Sequence, residues 1–366
     1  MAVGFPAKTD FATGDVLTAT NVNDITGTLN LLQSSLFTAG QNKIINGAFN
    51  VWQRGTTFDI TTSTFVFNAD RFFTGNVGNT GTVSQQTFTP GAAPVAGYES
   101  QYFARANIVG VAGASNEATL QQRIEDVRTF AGQTVTVSFW AKADAAKNVS
   151  LELQQNFGSG GSANVNTFIV KQALTTSWAR YTATFAIPSV SGKTIGTSSF
   201  DQLRFWLSAG SSLDARTGTL GTQSIIFDVW GVQLEYGSTA SPFQTASGSI
   251  AGELALCQRY YYRIIATNAY GQMGMGSAYS TTAARIQVQA PVYMRTSPTS
   301  VDFSTLILYD GVTTYTCTTC AIDTSQTSPK VQSLIPEVAS GLTQYRPYIL
   351  MANNSTSAYI GFSAEL

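Results

Sequence analysis

Thr134-Val135-Thr136-Val137-Ser138-Phe139-Trp140 alternates apolar residues with small polar or aromatic ones. Successive side chains of a strand point to opposite faces, so Val135, Val137 and Phe139 share one face, and Thr136, Ser138 and Trp140 the other. The same alternation recurs in Leu151–Phe157, Arg180–Ile187, Leu203–Ser208 and Ile225–Phe227. Gly-Ser-Gly-Gly-Ser at 158–162 and Ser-Val-Ser-Gly-Lys at 189–193 read as loops between strands. Short strands parted by such turns predict a jelly-roll-like β-sandwich over residues 41–246.

Beyond Ser241-Pro242 the strand pattern stops. Residues 250–263 combine helix formers with apolar spacing at Leu254, Cys257 and Tyr261, which predicts a linker helix. Alternation returns in Ala284–Tyr293, Thr305–Tyr309, Tyr345–Leu350 and Ala358–Phe362, so residues 247–366 are expected to add a second, smaller sandwich. Tyr260-Tyr261-Tyr262 reads as aromatic packing at a domain or subunit junction, and the Gly-rich Tyr270–Ala278 as a mobile surface loop. At the other end, Val22, Ile25, Leu29, Leu32 and Leu36 are spaced three, four, three and four apart, the seam of a short coiled coil. Such a seam needs cover, from copies of the same chain or from the helix's own domain. Residues 1–17 read as an extended arm whose Phe5, Phe11, Val16 and Leu17 suit pockets on a partner. The expected chain is therefore mainly β: an arm and coiled-coil helix (1–40), then two sandwiches.

Composition narrows the function. Charged residues make up 11% of the 366, against about 25% in ordinary globular proteins, and the net charge is −1. Nothing here draws the chain electrostatically to nucleic acid or an acidic membrane. Histidine is absent, which removes the commonest general base and metal ligand and rules out a Ser-His-Asp triad. The carboxylates Glu152, Asp201, Asp228 and Glu235 lie in or beside strands and are the residues a hydrolase would draw on, but the expectation is a protein that is not an enzyme. Cys317 and Cys320 form a C-x-x-C without the second pair a zinc site needs, and read as residues of a strand or turn. There is no secretory signal and no stretch of 18 apolar residues, so membrane insertion is not expected. A β-rich chain of exterior character without an export signal fits a particle component released by lysis.

The second faces of three strands stand out. Trp140 shares its face with Thr136 and Ser138; Arg204 and Trp206 oppose Leu203, Phe205 and Leu207; Glu152, Gln154 and Asn156 oppose Leu151 and Leu153. Glycans are held by this mix, CH faces on aromatic rings and hydroxyls on amides, carboxylates or guanidinium groups. As neighbours, the strands form one glycan-binding platform from Trp140, Trp206, Arg204, Glu152, Gln154 and Asn156. The same tryptophans also suit packing under a loop or against another subunit.

Asn42-Lys43-Ile44-Ile45-Asn46-Gly47-Ala48-Phe49-Asn50-Val51-Trp52-Gln53-Arg54-Gly55 resembles the opening of a β-sandwich module of bacteriophage tail fibres. Ala69-Asp70-Arg71-Phe72-Phe73, Thr134–Ala143 and Phe227–Phe243 resemble its next segment, central strand and closing strand, and Glu253–Tyr261 the segment that follows. Phe11–Thr18 is similar to a segment near the start of phage tail and fibre proteins. The resemblance covers roughly residues 42–310. It implies a carbohydrate-binding-module-like jelly roll in a homotrimeric fibre, trimerised by the 18–36 seam, attached by its N-terminus to other virion proteins and adhering to host-surface glycan. The competing expectations are a structural head or baseplate fibre and, further off, a depolymerase spike. Modules of this shape often hold a structural calcium ion, for which Asn46, Asp70 and Glu235 are the candidate oxygen ligands.

Overall fold

The computed structural model describes residues 39–61, 64–95 and 98–366. The expected coiled-coil seam (Val22, Ile25, Leu29, Leu32, Leu36) and attachment residues (Phe5, Phe11, Val16, Leu17) lie outside them.

Residues 57–236 supply β1 (Thr57–Ile60), β2 (Thr64–Phe67), β3 (Phe72–Val77), β4 (Thr80–Thr87), β5 (Tyr102–Val109), β6 (Glu117–Glu125), β7 (Thr134–Ala143), β8 (Lys147–Asn156), β9 (Val165–Leu174), β10 (Ala179–Ala186), β11 (Phe200–Ala209) and β12 (Ile225–Tyr236), with a one-turn helix α1 (Asp214–Thr217) before the last. They form two six-stranded antiparallel sheets. Sheet I runs β1-β4-β5-β12-β7-β10 and sheet II runs β2-β3-β6-β11-β8-β9. The apolar faces read from the sequence meet between them. Val135, Val137 and Phe139 of sheet I and Leu151, Leu153, Leu203 and Phe205 of sheet II share one core. Phe139 and Phe205 meet edge to face across it, with ring centroids 5.0 Å apart. Each such buried side chain stabilises the fold by about 1.5–3 kcal/mol relative to exposure.

A bulge in β12 sets which aromatics face outward. The β12–β7 register shifts between Trp230 and Gln233. Gly231 takes φ 65 there, and a Cβ on it would lie 2.7 Å from the Trp140 ring. The extra residue keeps Val229 and Val232 in the core while Trp230 joins Trp140 on the outer side.

The C-terminal part differs from expectation. It contains α2 (Ile250–Gln258), β13 (Tyr261–Ile265), β14 (Gln272–Ala278), β15 (Ala284–Gln289), β16 (Ser300–Ser304), β17 (Leu306–Tyr309), β18 (Thr314–Ile322), β19 (Val331–Val338), β20 (Pro347–Ala352) and β21 (Tyr359–Ser363). It is not a second sandwich: β14-β15-β19-β18-β17-β20 close into a barrel, and β13-β21-β16 form a three-stranded sheet beside it. Closure occurs because β14 pairs with both β15 and β20. Alternation reveals one apolar face per strand but not whether first and last strands meet. Tyr262 and Phe362 of the small sheet stack at 4.8 Å and share the barrel's core. The expected loop at Tyr270–Ala278 is largely β14, since its glycines allow the facing strand to approach closely. In α2, Ser249 caps the N-terminus by accepting from Gly252 N. Glu253 and Cys257 face inward rather than the expected Leu254, because the Glu253 carboxylate accepts from Asn46 N (2.8 Å) and Ser247 N (2.7 Å).

The opening segment 42–55 and Tyr260–Tyr262 join sandwich to barrel. Gln53 Nε2 donates to Tyr261 O (2.7 Å), and Arg263 Nη1 donates to Arg54 O (3.1 Å). The guanidinium groups of Arg71 and Arg54 lie 3.3 and 3.5 Å from the Tyr260 and Tyr261 ring centroids. Both arginines pair with Glu365.

Candidate functional site

The six glycan candidates do not share one surface. β7 belongs to sheet I, and β8 and β11 to sheet II, so Trp140 faces away from the rest. Trp140 is 8% exposed, against Trp230 (5.3 Å), with the Arg180 guanidinium 4.7 Å above its ring. It belongs to an aromatic cluster with Phe88, Phe103 and Trp230, onto which Trp178 and Phe243 pack. The expected single platform is thereby corrected: the pattern shows which residues share a side of a strand, not which strands share a sheet.

The other five come together. Antiparallel register sets Phe73, Gln121, Arg204, Glu152 and Phe168 opposite one another in one row across sheet II. The row beside it holds Arg123, Gln202, Gln154 and Asn166. Strand neighbours stand about 4.8 Å apart, so each row forms a polar ladder on the sheet's outer side.

Arg204 is the hub. Its Nε donates to Gln121 Oε1 (2.7 Å), Nη2 to Gln154 Oε1 (3.1 Å) and Nη1 to Glu152 Oε1 (3.4 Å). Burial draws Arg204 down to about 10, while Glu152 pushes it back up. Glu152 is fully buried; it also accepts from Arg216 Nη2 (2.7 Å) and Nε (3.1 Å) and from Trp206 Nε1 (3.1 Å). Its oxygens are held by guanidinium and indole donors, an arrangement that orients them rather than frees them for proton transfer. Trp206 is 1% exposed, beneath the Arg216 guanidinium 4.8 Å from its ring. Gln154 also donates to Asn166 Oδ1 (2.7 Å), while Asn156 Oδ1 closes a turn by accepting from Gly158 N (2.9 Å). Glu152 and Trp206 thus form the floor, and the half-buried Arg204 and Arg216 lie over it. Phe168 (39% exposed) and Phe65 (70%) mark the flanks.

Gln121, Gln202, Arg123, Arg216, Phe65 and Phe168 were not singled out from the sequence. The alternation Glu117-Ala118-Thr119-Leu120-Gln121 carried the signal for Gln121. Arg216 had none, because α1 lies in a connecting segment that tertiary packing folds over the face.

The calcium candidates are engaged otherwise. Asp70 accepts from Gln53 N (3.0 Å) and Gln53 Nε2, and burial raises it to about 6. Glu235 accepts from Gln41, Gln233 and Ser241, and Asn46 Oδ1 accepts from Val51 N. These oxygens are occupied by protein donors and do not fit a calcium site. Among the described residues no three acidic or cysteine side chains group to hold a metal ion, and no helix is long and apolar enough to cross a membrane. Burial raises both thiols of the C-x-x-C to about 12, and both lie on β18.

Residues 96–200 match a family model described as a carbohydrate binding domain. The match spans the Gln121, Arg123, Glu152 and Gln154 positions and supports carbohydrate binding. Similar solved structures include a putative sugar binding protein from Bacteroides thetaiotaomicron (13% identity, 54% of this chain, 100% of that one, TM-score 0.35). The xylan-binding domain from Paenibacillus barcinonensis is similar at 10% identity (56% and 100%, TM-score 0.30). The enzymatically active domain of tailspike protein 4 from bacteriophage CBA120 is similar at 12% identity (54% of this chain, TM-score 0.29), and the chain spans only 22% of its length. No curated protein matches the chain.

Proposed function

We propose that the chain is a phage virion fibre protein, a tail fibre that adheres to host-cell surface glycan through the outer face of sheet II. The observation that carries the reading is the ladder Gln121–Arg204–Glu152 beside Gln202–Gln154–Asn166, flanked by Phe168 and Phe65. A sugar lies its CH face on a flanking ring, and its hydroxyls exchange hydrogen bonds with Arg204, Gln154 and Asn166. Glu152 and Trp206 hold the arginine forks in place from below, so the hydroxyls meet preorganised donors. Asn156 stands at the end of this face on β8, and Trp140 serves the aromatic packing of sheet I.

In the virion the seam Val22, Ile25, Leu29, Leu32 and Leu36 trimerises the chain, and the arm attaches it to tail, baseplate or adaptor proteins. Three copies per fibre and several fibres per particle raise avidity over single weak sites.

The test is a glycan array followed by calorimetry on the full chain. A glycan should bind, and Arg204→Ala and Phe168→Ala should each weaken binding at least tenfold. Absence of any binding glycan favours the structural head or baseplate fibre. Release of reducing sugar from host polysaccharide, lost in Glu152→Gln, moves the assignment to a depolymerase.

A further inference from the structure

Arg123 ends the lower row of sheet II, its guanidinium between the Phe73 and Phe200 rings (4.9 and 4.7 Å to the centroids). Two of its nitrogens point in different directions. Nε donates to Gln202 Oε1 (3.0 Å), inside the polar face. Nη1 donates to Leu366 O, in the segment that follows β21 of the small sheet.

From Gln202 the bonds run on without a gap. Gln202 Nε2 donates to Gln121 Oε1, the oxygen that also accepts from Arg204 Nε (2.7 Å). Arg204 then reaches Gln154 and Glu152. On the other side, residues 364–366 are gripped from both domains. Arg295 donates to Ala364 O and Glu365 O, each at 2.9 Å. Arg54 and Arg71 of the sandwich hold the Glu365 carboxylate, and Arg71 Nη2 also donates to Arg123 O (2.7 Å). Burial and the neighbouring Arg71 draw Arg123 down, and Glu365 opposes them. Glu365 thus offsets the repulsion between two cations, one of which ends in the face.

We infer that the face is a composite site completed by residues 364–366, with Arg123 as the positioning residue that ties this tail of the C-terminal part to the Gln202–Gln121–Arg204 ladder. This rests on the reading of that face as the glycan site. Arg123 does not itself need to touch the sugar: it sets where Gln202 points, and Gln202 sets the rest of the ladder.

The experiment compares the full chain with Glu365→Gln, Arg123→Leu and Arg123→Lys. Leucine keeps packing between the two phenylalanines but donates nothing; lysine returns one donor. Binding of the array-identified glycan is measured well below each variant's Tm, and amide hydrogen exchange is followed over residues 117–125 and 200–209. Glu365→Gln and Arg123→Leu should weaken binding about tenfold, with faster exchange in both segments, and Arg123→Lys should recover part of the loss. Arg295→Leu, which loosens 364–366 from the barrel side alone, serves if Glu365→Gln does not fold. Wild-type affinity and exchange in these variants, while Arg204→Ala abolishes binding, would overturn the composite site and leave the glycan reading intact. If the wild type binds no glycan, the glycan reading fails instead, and exchange alone judges the coupling: faster exchange upholds it and unchanged exchange overturns it.

Discussion

Asp201 lies on the inner side of β11 opposite Gln155 of β8; among the described residues neither its carboxylate oxygens nor Gln155 Oε1 has a well-formed hydrogen bond, and the Phe130 backbone N–H only approaches Asp201. Burial raises Asp201 from 3.8 to about 8 despite the Phe130 backbone N–H, and Asp126 adds to the rise. Burial, and after it Asp201, raises the nearby Tyr236. The folded protein therefore holds a proton here that the unfolded chain releases near pH 4. This contribution is fully present below pH 3.8, is lost as pH climbs to about 8, and changes no further above that. Asp201→Asn, which carries no titrating proton, should abolish the decline between pH 5 and 8. It should also raise stability at pH 8, by an amount on the order of a few kcal/mol. Unfolding midpoints of both proteins across pH 5–9 check this; a wild-type slope in the variant would exonerate Asp201. At this scale the sequence revealed which side of its strand each residue occupies. It did not reveal that Asp201 turns inward with no counter-charge among the described residues, or that Glu152 sits under Arg216, because both depend on what other segments place against them.

The strands of the sandwich were legible because alternation is a local property of the backbone. Thr134–Ala143 is β7, and its apolar face enters the core as read. Phe205→Ala should therefore cost about 3–5 kcal/mol, seen as a lower denaturant midpoint with an unchanged slope. The bulge in β12 was not legible, since Gly231 looks like any strand glycine until its φ of 65 and its contact with Trp140 are known. Gly231→Ala should destabilise by about 1–3 kcal/mol and perturb tryptophan fluorescence from the Trp140–Trp230 pair. A variant as stable as the wild type would mean that the bulge relaxes freely. β14 was missed for the converse reason. Gly274 and Gly276 look like loop residues, yet a Cβ on Gly274 would lie 2.8 Å from Ile286 of β15.

Across the whole molecule, the opening segment 42–55 is the joint between the sandwich and the C-terminal part. Asn46, Gln53 and Arg54 reach α2 and β13, and Arg71 reaches Glu365. Arg71→Ala leaves a buried carboxylate short of a partner and should cost about 3–5 kcal/mol, with the barrel's exchange protection falling along with the sandwich's. Unaltered barrel protection would show that the two parts are not cooperative. The assembly has its own test. The solution mass of the full chain should be that of a trimer, and a chain lacking residues 1–40 should fall to a monomer if the seam alone holds the copies together. A trimer that survives the deletion would place the contact on the sandwich or barrel.

Taken alone, the sequence determined the β class, the inward and outward residues of the main strands, the break near Ser241-Pro242 and the mixed polar and aromatic character of the outward strand faces. Each follows from side-chain periodicity or composition, which act over a few residues. The tertiary structure alone decided that Trp140 and Trp206 stand on different sheets, that six C-terminal strands close into a barrel, and that Arg123 joins the residues after β21 to the polar face. These depend on which distant strands pair. Pairing is settled by the burial and hydrogen bonding of the whole chain together, not by any local pattern.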